Sequence, residues 1–346
     1  MEFFDRKKEI AEIMSILESD PTLITFIYGS INSGKTEMIN HLIRNLPEDY
    51  LPFYINLRWR FISNYRDFVH LLFNAKESKV KDLIPEILSQ GIKILTGFPV
   101  SKELFEELLK NKENVFEYLM NLFEKVVNKN KNPILIIDEL QKIGDVKIDD
   151  HLIYELFNFF IGLTKERHLA HVFAITSDSL FIERVYSEAM LQGRARYVLV
   201  DDFDYNTTLN FLDKYGFTEK EKKVAWHYCG GKPVCLLELI RANNKEDKAI
   251  QMLKERKGQI LHLLNKISLF GEKIEVEGKV IEVKEEDILE ALRQFLDKDY
   301  RNYRKLNLEE LYLVKKNILF IDPREGLLRP QSKLDLLAIR EILSQV

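Results

Sequence analysis

The chain has 346 residues, 46% hydrophobic and 31% charged, with a formal net charge of −4. That length allows two or three domains, and the charge balance excludes a polyanion binder acting through bulk charge, so nucleic-acid contact would need a local basic patch. Two cysteines, Cys229 and Cys235, are too few for a disulfide framework, and their spacing fits no zinc or redox motif. The N-terminus MEFFDRKKEI does not read as a signal peptide, and no apolar run approaches a membrane span, so the expected location is a reducing cytoplasm, with no membrane partner. Abundant Lys, Glu and Ile with sparse Gly is similar to the ion-paired surface of a thermophile protein.

In chain order, apolar runs alternate with helical stretches, the pattern of βαβ units and a parallel sheet. A first strand spans Thr22–Tyr28, followed by a helix to about Leu46; Pro47 and Pro52 bracket the turn into a second strand, LPFYINL. From about Asn64 to Asn128 the Leu, Phe, Glu and Lys spacing predicts helices, interrupted near Gly91 to Pro99. A third strand, Pro133–Asp138, is apolar throughout, as a strand covered on both faces should be. A helix over about His151–Leu163, a strand over His171–Ser177, another helix and a short strand over Arg196–Val200 complete this part. Helices then run to about Leu269, as a small lid. Lys273–Val283 alternates apolar and charged residues around Gly278 and reads as a hairpin. Two helices, a second hairpin turning at Arg324-Glu325-Gly326 and a last helix end the chain, the order of a winged helix. The expected domains are an α/β core over 1–201 with a helical elaboration at about 64–130, a helical lid over 202–270 and a winged-helix domain over 271–346.

Gly29-Ser30-Ile31-Asn32-Ser33-Gly34-Lys35-Thr36 fits G-x-x-x-x-G-K-[ST] at every fixed position, between an apolar strand and a helix. Backbone N–H groups in such a loop and at the helix N-terminus wrap phosphates. Gly29 and Gly34 permit the close approach. Lys35 is expected to reach the β and γ phosphates and Thr36 to ligate Mg²⁺, with Glu37 next in the helix. The strand ILIIDE supplies the partner carboxylates: Asp138 for the metal, and Glu139 as the general base on the attacking water. One strand later, AITS ends in Thr176 and Ser177, hydroxyls that either meet the attacking water or the γ-phosphate or simply cap the next helix. No guanine-specific N-K-x-D element stands at a suitable strand end, which favours ATP/ADP over GTP.

With these residues in hand the chain resembles the archaeal ATPases of the signal-transducing (STAND-like) branch of P-loop ATPases, related to AAA+ proteins and to origin-recognition ATPases. FFDRKKEIAEI resembles that family's N-terminal box, and by resemblance Phe4, Asp5 and Arg6 would lie against the adenine. The P-loop and ILIIDE follow in the family's order. GGKPVCLLELI resembles its G-x-P motif, which opens a lid helix near the phosphates at Pro233; Pro at the first turn is also a sound helix start without a ligand. The resemblance implies an α/β P-loop NTPase of AAA+-like type, with a parallel-sheet core, helical lid and C-terminal winged helix, and it implies that Thr176 occupies the sensor-1 position. The chain departs from the family where Asn32 and Ser33 replace basic residues in the loop. It departs again where Lys232 stands in place of a lid arginine, which leaves a second sensor unsupported and Lys232 readable as solvent-exposed.

Arg194 and Arg196 precede the last strand of the core; in oligomeric relatives an arginine here reaches a neighbouring subunit's γ-phosphate, while the plainer reading is an ion pair with Asp201 or another carboxylate. Three outputs stay open: a slow ATP-hydrolysing switch, a DNA-binding protein tuned by nucleotide, and a nucleotide-holding scaffold for a protein partner, each alone or as a homo-oligomer. The DNA reading rests on DKDYRNYRKLN, where Lys298, Arg301, Arg304 and Lys305 interleave with Tyr300 and Tyr303, and on Lys315, Lys316, Arg324 and Arg329. Glu309, Glu310, Asp322 and Glu325 offset that charge.

Overall fold

The computed structural model describes residues 3–59, 61–76, 94–110, 114–144, 152–276 and 279–345. The chain divides into two compact units. The first comprises Met1–Tyr28, Lys35–Thr176 and Ser187–Leu199; the second comprises Gly29–Gly34, Ser177–Tyr186 and Val200–Val346.

The first unit is built on β1 (Ile24–Tyr28), β2 (Tyr50–Asn56), β4 (Leu95–Thr96), β6 (Asn132–Asp138), β7 (His171–Thr176) and β8 (Ala195–Leu199), in the order β4-β2-β6-β7-β1-β8. All pairings are parallel. Every residue of β1 and β7 is buried, and all of β6 except its first residue, Asn132. Strands covered on both faces need no polar alternation, which is why ITFIY and PILIID read as unbroken apolar runs. The strand carrying Asp138 is separated from the P-loop strand by one strand, β7.

Helices α1 (Lys7–Leu17) and α2 (Lys35–Arg44) flank β1 in sequence. On α2, Met38, Ile39, Leu42 and Ile43 are buried, a 3–4 spacing that turns one face inward and leaves Glu37 exposed.

The stretch expected to be helical from 64 to 128 is partly strand. Helix α3 (Tyr65–Leu72) runs directly into β3 (Phe73–Lys76), which pairs in parallel with β5 (Phe98–Ser101) as a separate two-stranded sheet. Helices α4 (Lys102–Lys110) and α5 (Asn114–Val127) follow, and α6 (Leu152–Ile161) comes after β6. Pro99 and the β-branched Val100 oppose helix at this point. The aromatics decide the rest: Phe98 stacks on Phe53 at 5.3 Å and lies 6.0 Å from Phe73, and Phe123 meets Phe53 at 5.3 Å. Helical spacing alone could not reveal that core, because its partners are 25 to 70 residues apart. Of the predicted interruption near Gly91 to Pro99, residues 91–93 lie outside the described residues, and the rest is non-helical, with strands at Leu95–Thr96 and from Phe98.

His171 opens β7 and is buried. Burial is the chief cause that depresses its pKa to about 4, and the Arg196 charge works in the same direction. The unfolded chain protonates near pH 6.5 while the folded chain resists, so stability is complete above about 6.5 and falls as pH drops toward 4. The shift corresponds to about 3 kcal/mol. Urea midpoints taken from pH 7 to 4 should show this loss, and His171→Leu should flatten it.

In the second unit, α7 (Ser179–Ser187) begins in the segment 177–186. It is followed by α8 (Tyr205–Asp213), α9 (Glu219–Cys229), α10 (Pro233–Arg241) and the long α11 (Lys245–Phe270). Each start has a local cause. Asp204 and Asn244 cap α8 and α11, Thr218 and Glu221 form a capping box on α9, and Pro233 is the first residue of α10.

The hairpin β9 (Glu272–Val276) and β10 (Lys279–Val283) is antiparallel; its expected turn at Gly278 lies outside the described residues. Then come α12 (Glu285–Arg293), α13 (Leu308–Lys315), the antiparallel β12 (Leu319–Asp322) and β13 (Leu327–Pro330), and α14 (Lys333–Leu343), packed on α11. The sequence does not predict β11 (Arg301–Asn302), which adds two residues to the far edge of β13. A two-residue strand leaves no periodicity to detect.

Candidate active site

In the first unit, the carboxylate of Asp138 collects donors from three elements. Its Oδ2 accepts hydrogen bonds from the Thr36 hydroxyl at 2.9 Å and the Tyr54 hydroxyl at 2.8 Å, with the Asn56 amide at 3.4 Å. Its Oδ1 accepts from the backbone N–H of Glu139 at 2.9 Å. Strand register explains the gathering. Asn56 lies directly beside Asp138 in the parallel β2–β6 pair, and Tyr54 lies two residues back on the same side. Burial chiefly, and the Asp138 charge next, push the Tyr54 hydroxyl well above its ordinary pKa, so it remains a proton donor.

Thr36 and Asp138 are hard oxygen donors at hydrogen-bond distance from one another, the kind of pair that would hold Mg²⁺. Among the described residues no group of three or more His, Cys, Asp or Glu could hold a metal alone. A Mg²⁺ ion here would therefore take its remaining ligands from phosphates and water, as that ion commonly does.

Glu139 has φ of +63°, the left-handed region that costs a non-glycine residue about 1–2 kcal/mol. Its side chain is held from two sides. The Arg58 guanidinium pairs with Oε1 at 2.5 Å, and the Gln141 amide donates to Oε2 at 2.7 Å. Gln141 in turn accepts from the Thr176 hydroxyl at 2.7 Å, linking the end of β7 to Glu139. Neither Arg58, in the turn after β2, nor Gln141 carries a motif that sequence reading could have used. Tyr54 and Asn56 were equally silent, being ordinary strand residues until register sets them beside Asp138. Lys35, at the start of α2, is buried.

In the second unit, the loop Gly29–Gly34 is folded back on itself by the Ser33 N–H donating to the Ser30 carbonyl at 3.2 Å. Gly34 has φ of +94°, and Asn32, at +60°, uses the tolerance of Asn for left-handed backbone. A Cβ on Gly29 would lie 2.1 Å from the Val200 carbonyl oxygen. Ser30 and Ser33 are buried, whereas Asn32 is exposed.

Lys232 is not solvent-exposed; it is buried. Its ammonium donates to the Ser30 hydroxyl at 2.7 Å and the Ile31 carbonyl at 3.1 Å, and pairs with Asp202 at 2.9 Å. Three acceptors match the three N–H bonds of the group, which is how a charge can be buried at this point. Ser30 also donates to Asp202 at 3.3 Å. The two glycines before Lys232 set its position. Gly230 ends α9 at φ of +54°, and Gly231 lies so near Phe203 that a Cβ would sit 1.7 Å from its carbonyl oxygen.

The other predicted residues fall as follows. Asp5 and Arg6 both have left-handed backbone, and Arg6 is buried with an ion pair to Glu9 at 2.9 Å. Beside Phe4, Phe3 stacks on His41 of α2 with centroids 3.9 Å apart. Arg194 donates to the Met190 carbonyl at 2.8 Å, and Arg196 lies inside β8 opposite Thr25, with its buried Nε lacking a hydrogen-bond partner among the described residues. Both stand at the N-terminal end of β8, while Tyr28, Asp138 and Thr176 end their strands at the opposite edge of the sheet. Asp201, offered as an arginine partner, pairs with Arg329 instead.

Several C-terminal basic residues are also taken. Arg301 pairs with Glu310, Lys316 with Glu272, and Lys333 and Arg340 with Asp299. Lys298, Arg304, Lys305 and Tyr300 are exposed.

Residues 3–239 match the family described as an ATPase domain predominantly from Archaea. The chain belongs to that family. Residues 246–343 match a second family, the C-terminal domain of MJ1010-like uncharacterized ATP-binding proteins. The archaeal ATPase match ends within α10, just beyond the GGKP motif. Among curated relatives, the uncharacterized ATP-binding protein MJ1659 of Methanocaldococcus jannaschii is 50% identical over 366 residues, covering 100% of this chain and 98% of its own length. The uncharacterized ATP-binding protein PYRAB09480 of Pyrococcus abyssi is 47% identical, covering 99% and 98%. Among solved structures, the Walker-type ATPase paby2304 of Pyrococcus abyssi superposes with a TM-score of 0.63 over 98% of this chain and 96% of its own, at 17% identity, a likeness of fold. Among the described residues no helix is long and apolar enough to cross a membrane.

Proposed function

We propose that this archaeal ATPase family member binds ATP with Mg²⁺, hydrolyses it slowly, and uses nucleotide state to set the arrangement of its lid helices and C-terminal domain. The observation that carries the reading is the Thr36–Asp138 hydrogen bond at 2.9 Å with Glu139 one residue further on. A metal-holding pair and a carboxylate base at one strand end are what hydrolysis requires. Bound Mg²⁺ would offset charge on the phosphate oxygens. Lys35 and the loop amides hold the phosphates; Glu139 takes a proton from the attacking water as the water oxygen bonds to the γ-phosphorus; the bond from that phosphorus to the bridging oxygen breaks, leaving ADP and phosphate, and the proton on Glu139 returns to solvent. The left-handed backbone at Glu139 aims its carboxylate, and the chain Thr176–Gln141–Glu139 fixes it.

Titration calorimetry with MgATP on the full chain tests the reading. Parent protein should bind and Lys35→Ala should lose at least tenfold in affinity; absence of heat from the parent would sink it. Slow turnover fits the Arg58 pair, which occupies the very carboxylate that must accept a proton. Arg58 is 66% exposed, so the pair is weak and screened by solvent. Arg58→Ala should therefore raise basal phosphate release about two- to fivefold, read by a coupled phosphate assay; a fall would mean that the arginine assists the reaction.

A second reading, nucleotide-tuned DNA binding through a winged helix, draws on exposed Arg304 and Lys305 near Tyr300. A salt-dependent band shift with duplex DNA, lost in Arg304→Gln/Lys305→Gln, would favour it. No shift at low salt would dismiss it.

A further inference from the structure

Both hydrogen-bonding groups of Ile31, in the middle of the phosphate loop, are held by residues far along the chain. Its carbonyl accepts from Lys232, at the start of α10, at 3.1 Å. Its N–H donates to Oε1 of Gln331, the residue after β13, at 3.3 Å. Gln331 is buried and locked in orientation: its backbone N–H donates to the Ile318 carbonyl at 2.9 Å, and its side-chain amide donates to the Leu319 carbonyl at 3.2 Å. With Nε2 committed to a carbonyl, only Oε1 can face Ile31, and an oxygen there suits a backbone N–H. Lys232 is anchored as firmly, by Asp202 and Ser30.

We propose that Gln331 and Lys232 are positioning residues for the phosphate loop: they clasp the Ser30–Ile31 segment from the β12–β13 hairpin and from α10, so that loop geometry and the C-terminal hairpin are coupled through the Ile31 peptide. This deepens the nucleotide-switch reading and rests on it for its consequence, whereas the contacts of the clasp are argued independently of that reading. A ligand that shifts the loop must alter both contacts, and by linkage any change in the hairpin alters the loop's affinity for phosphate. Neither residue needs to touch the reacting atoms.

Hydrogen exchange by mass spectrometry on the full chain tests this, with Gln331→Leu, Lys232→Met and the control Arg301→Gln, which disturbs the C-terminal domain away from the loop. Without nucleotide, Gln331→Leu and Lys232→Met should each speed exchange in peptides covering 29–34 by about two- to tenfold, the range set by one ordinary hydrogen bond, and Arg301→Gln should not. With MgATP, the parent should change its protection at 319–331, and Gln331→Leu should still bind but lose that change. Unchanged loop exchange in both clasp variants, or a parent-like response to MgATP in Gln331→Leu, would overturn the proposal. Should the parent bind no MgATP, the nucleotide reading fails by itself, and the measurement without nucleotide still decides the clasp.

Discussion

Glu139→Gln is expected to leave MgATP affinity within a few-fold of the parent while lowering the rate of phosphate release by about 10²–10⁴, the usual worth of a positioned general base. The substitution is well suited to the site. Gln keeps one oxygen to accept from Arg58, which now meets Glu139 at 2.5 Å, and gives up only the hydrogen bond that Gln141 now donates at 2.7 Å. It is also no worse than Glu at the left-handed backbone of φ +63°. What it cannot do is take a proton. Binding should survive because Lys35, Thr36 and the loop amides are untouched. Calorimetry and a phosphate-release assay on one preparation separate the two effects. Turnover at the parent rate would show that Glu139 is not the base, and the Thr176–Gln141 pair would become the place to look for what orients the water.

Gly231→Ala should destabilise the second unit by about 3 kcal/mol or more, even though it adds a single methyl group. The added Cβ would stand 1.7 Å from the Phe203 carbonyl oxygen and 2.7 Å from its nitrogen. Those are backbone atoms, so no side-chain rotation can relieve the clash. Separation would also break the hydrogen bond from the Phe203 N–H to the Gly231 carbonyl at 2.9 Å. Overpacking of 1–3 kcal/mol then adds to the loss of a buried hydrogen bond. Lys232, next in the chain, would be pulled from Ser30 and Asp202, so MgATP affinity should fall with stability. Gly258→Ala is the counterpart. It sits mid-helix in α11, with nothing within 4 Å of the new Cβ, and should stabilise by about 0.5–1 kcal/mol. Urea midpoints measured side by side should move in opposite directions. If Gly231→Ala unfolds at the parent midpoint, the close approach to Phe203 is not a constraint.

Read as a string, the chain already gives the parallel strands, the order P-loop then ILIIDE, the helices that follow the sheet and the C-terminal hairpin with its last helix. Those signals are local. A buried parallel strand is continuously apolar, and a helix start needs only its cap, as at Asp204, Thr218 and Asn244. The P-loop and the Asp138-Glu139 pair are short motifs whose residue types are dictated by phosphate and metal chemistry. The stretch from 64 to 128 is where local reading failed, because β3 and β5 are strands through pairing with each other and through the aromatic cluster of Phe53, Phe98 and Phe123.

Tertiary structure alone decided what surrounds the motifs. Asp138 needs Thr36, Tyr54 and Asn56, contributed by α2 and β2, and only strand register brings them to one carboxylate. Arg58 and Gln141 hold Glu139 from segments with no recognisable pattern. Lys232 changes from a lysine readable as exposed to a buried ammonium with three acceptors, and Gln331 from an unremarked residue to the partner of the Ile31 amide, three hundred positions away. The sequence by itself thus determined the chemistry on offer, since residue type and local spacing fix what a loop can bind. The placement of those groups, and what restrains them, was left to long-range packing, because a hydrogen bond between distant segments leaves no periodic or compositional trace in either one.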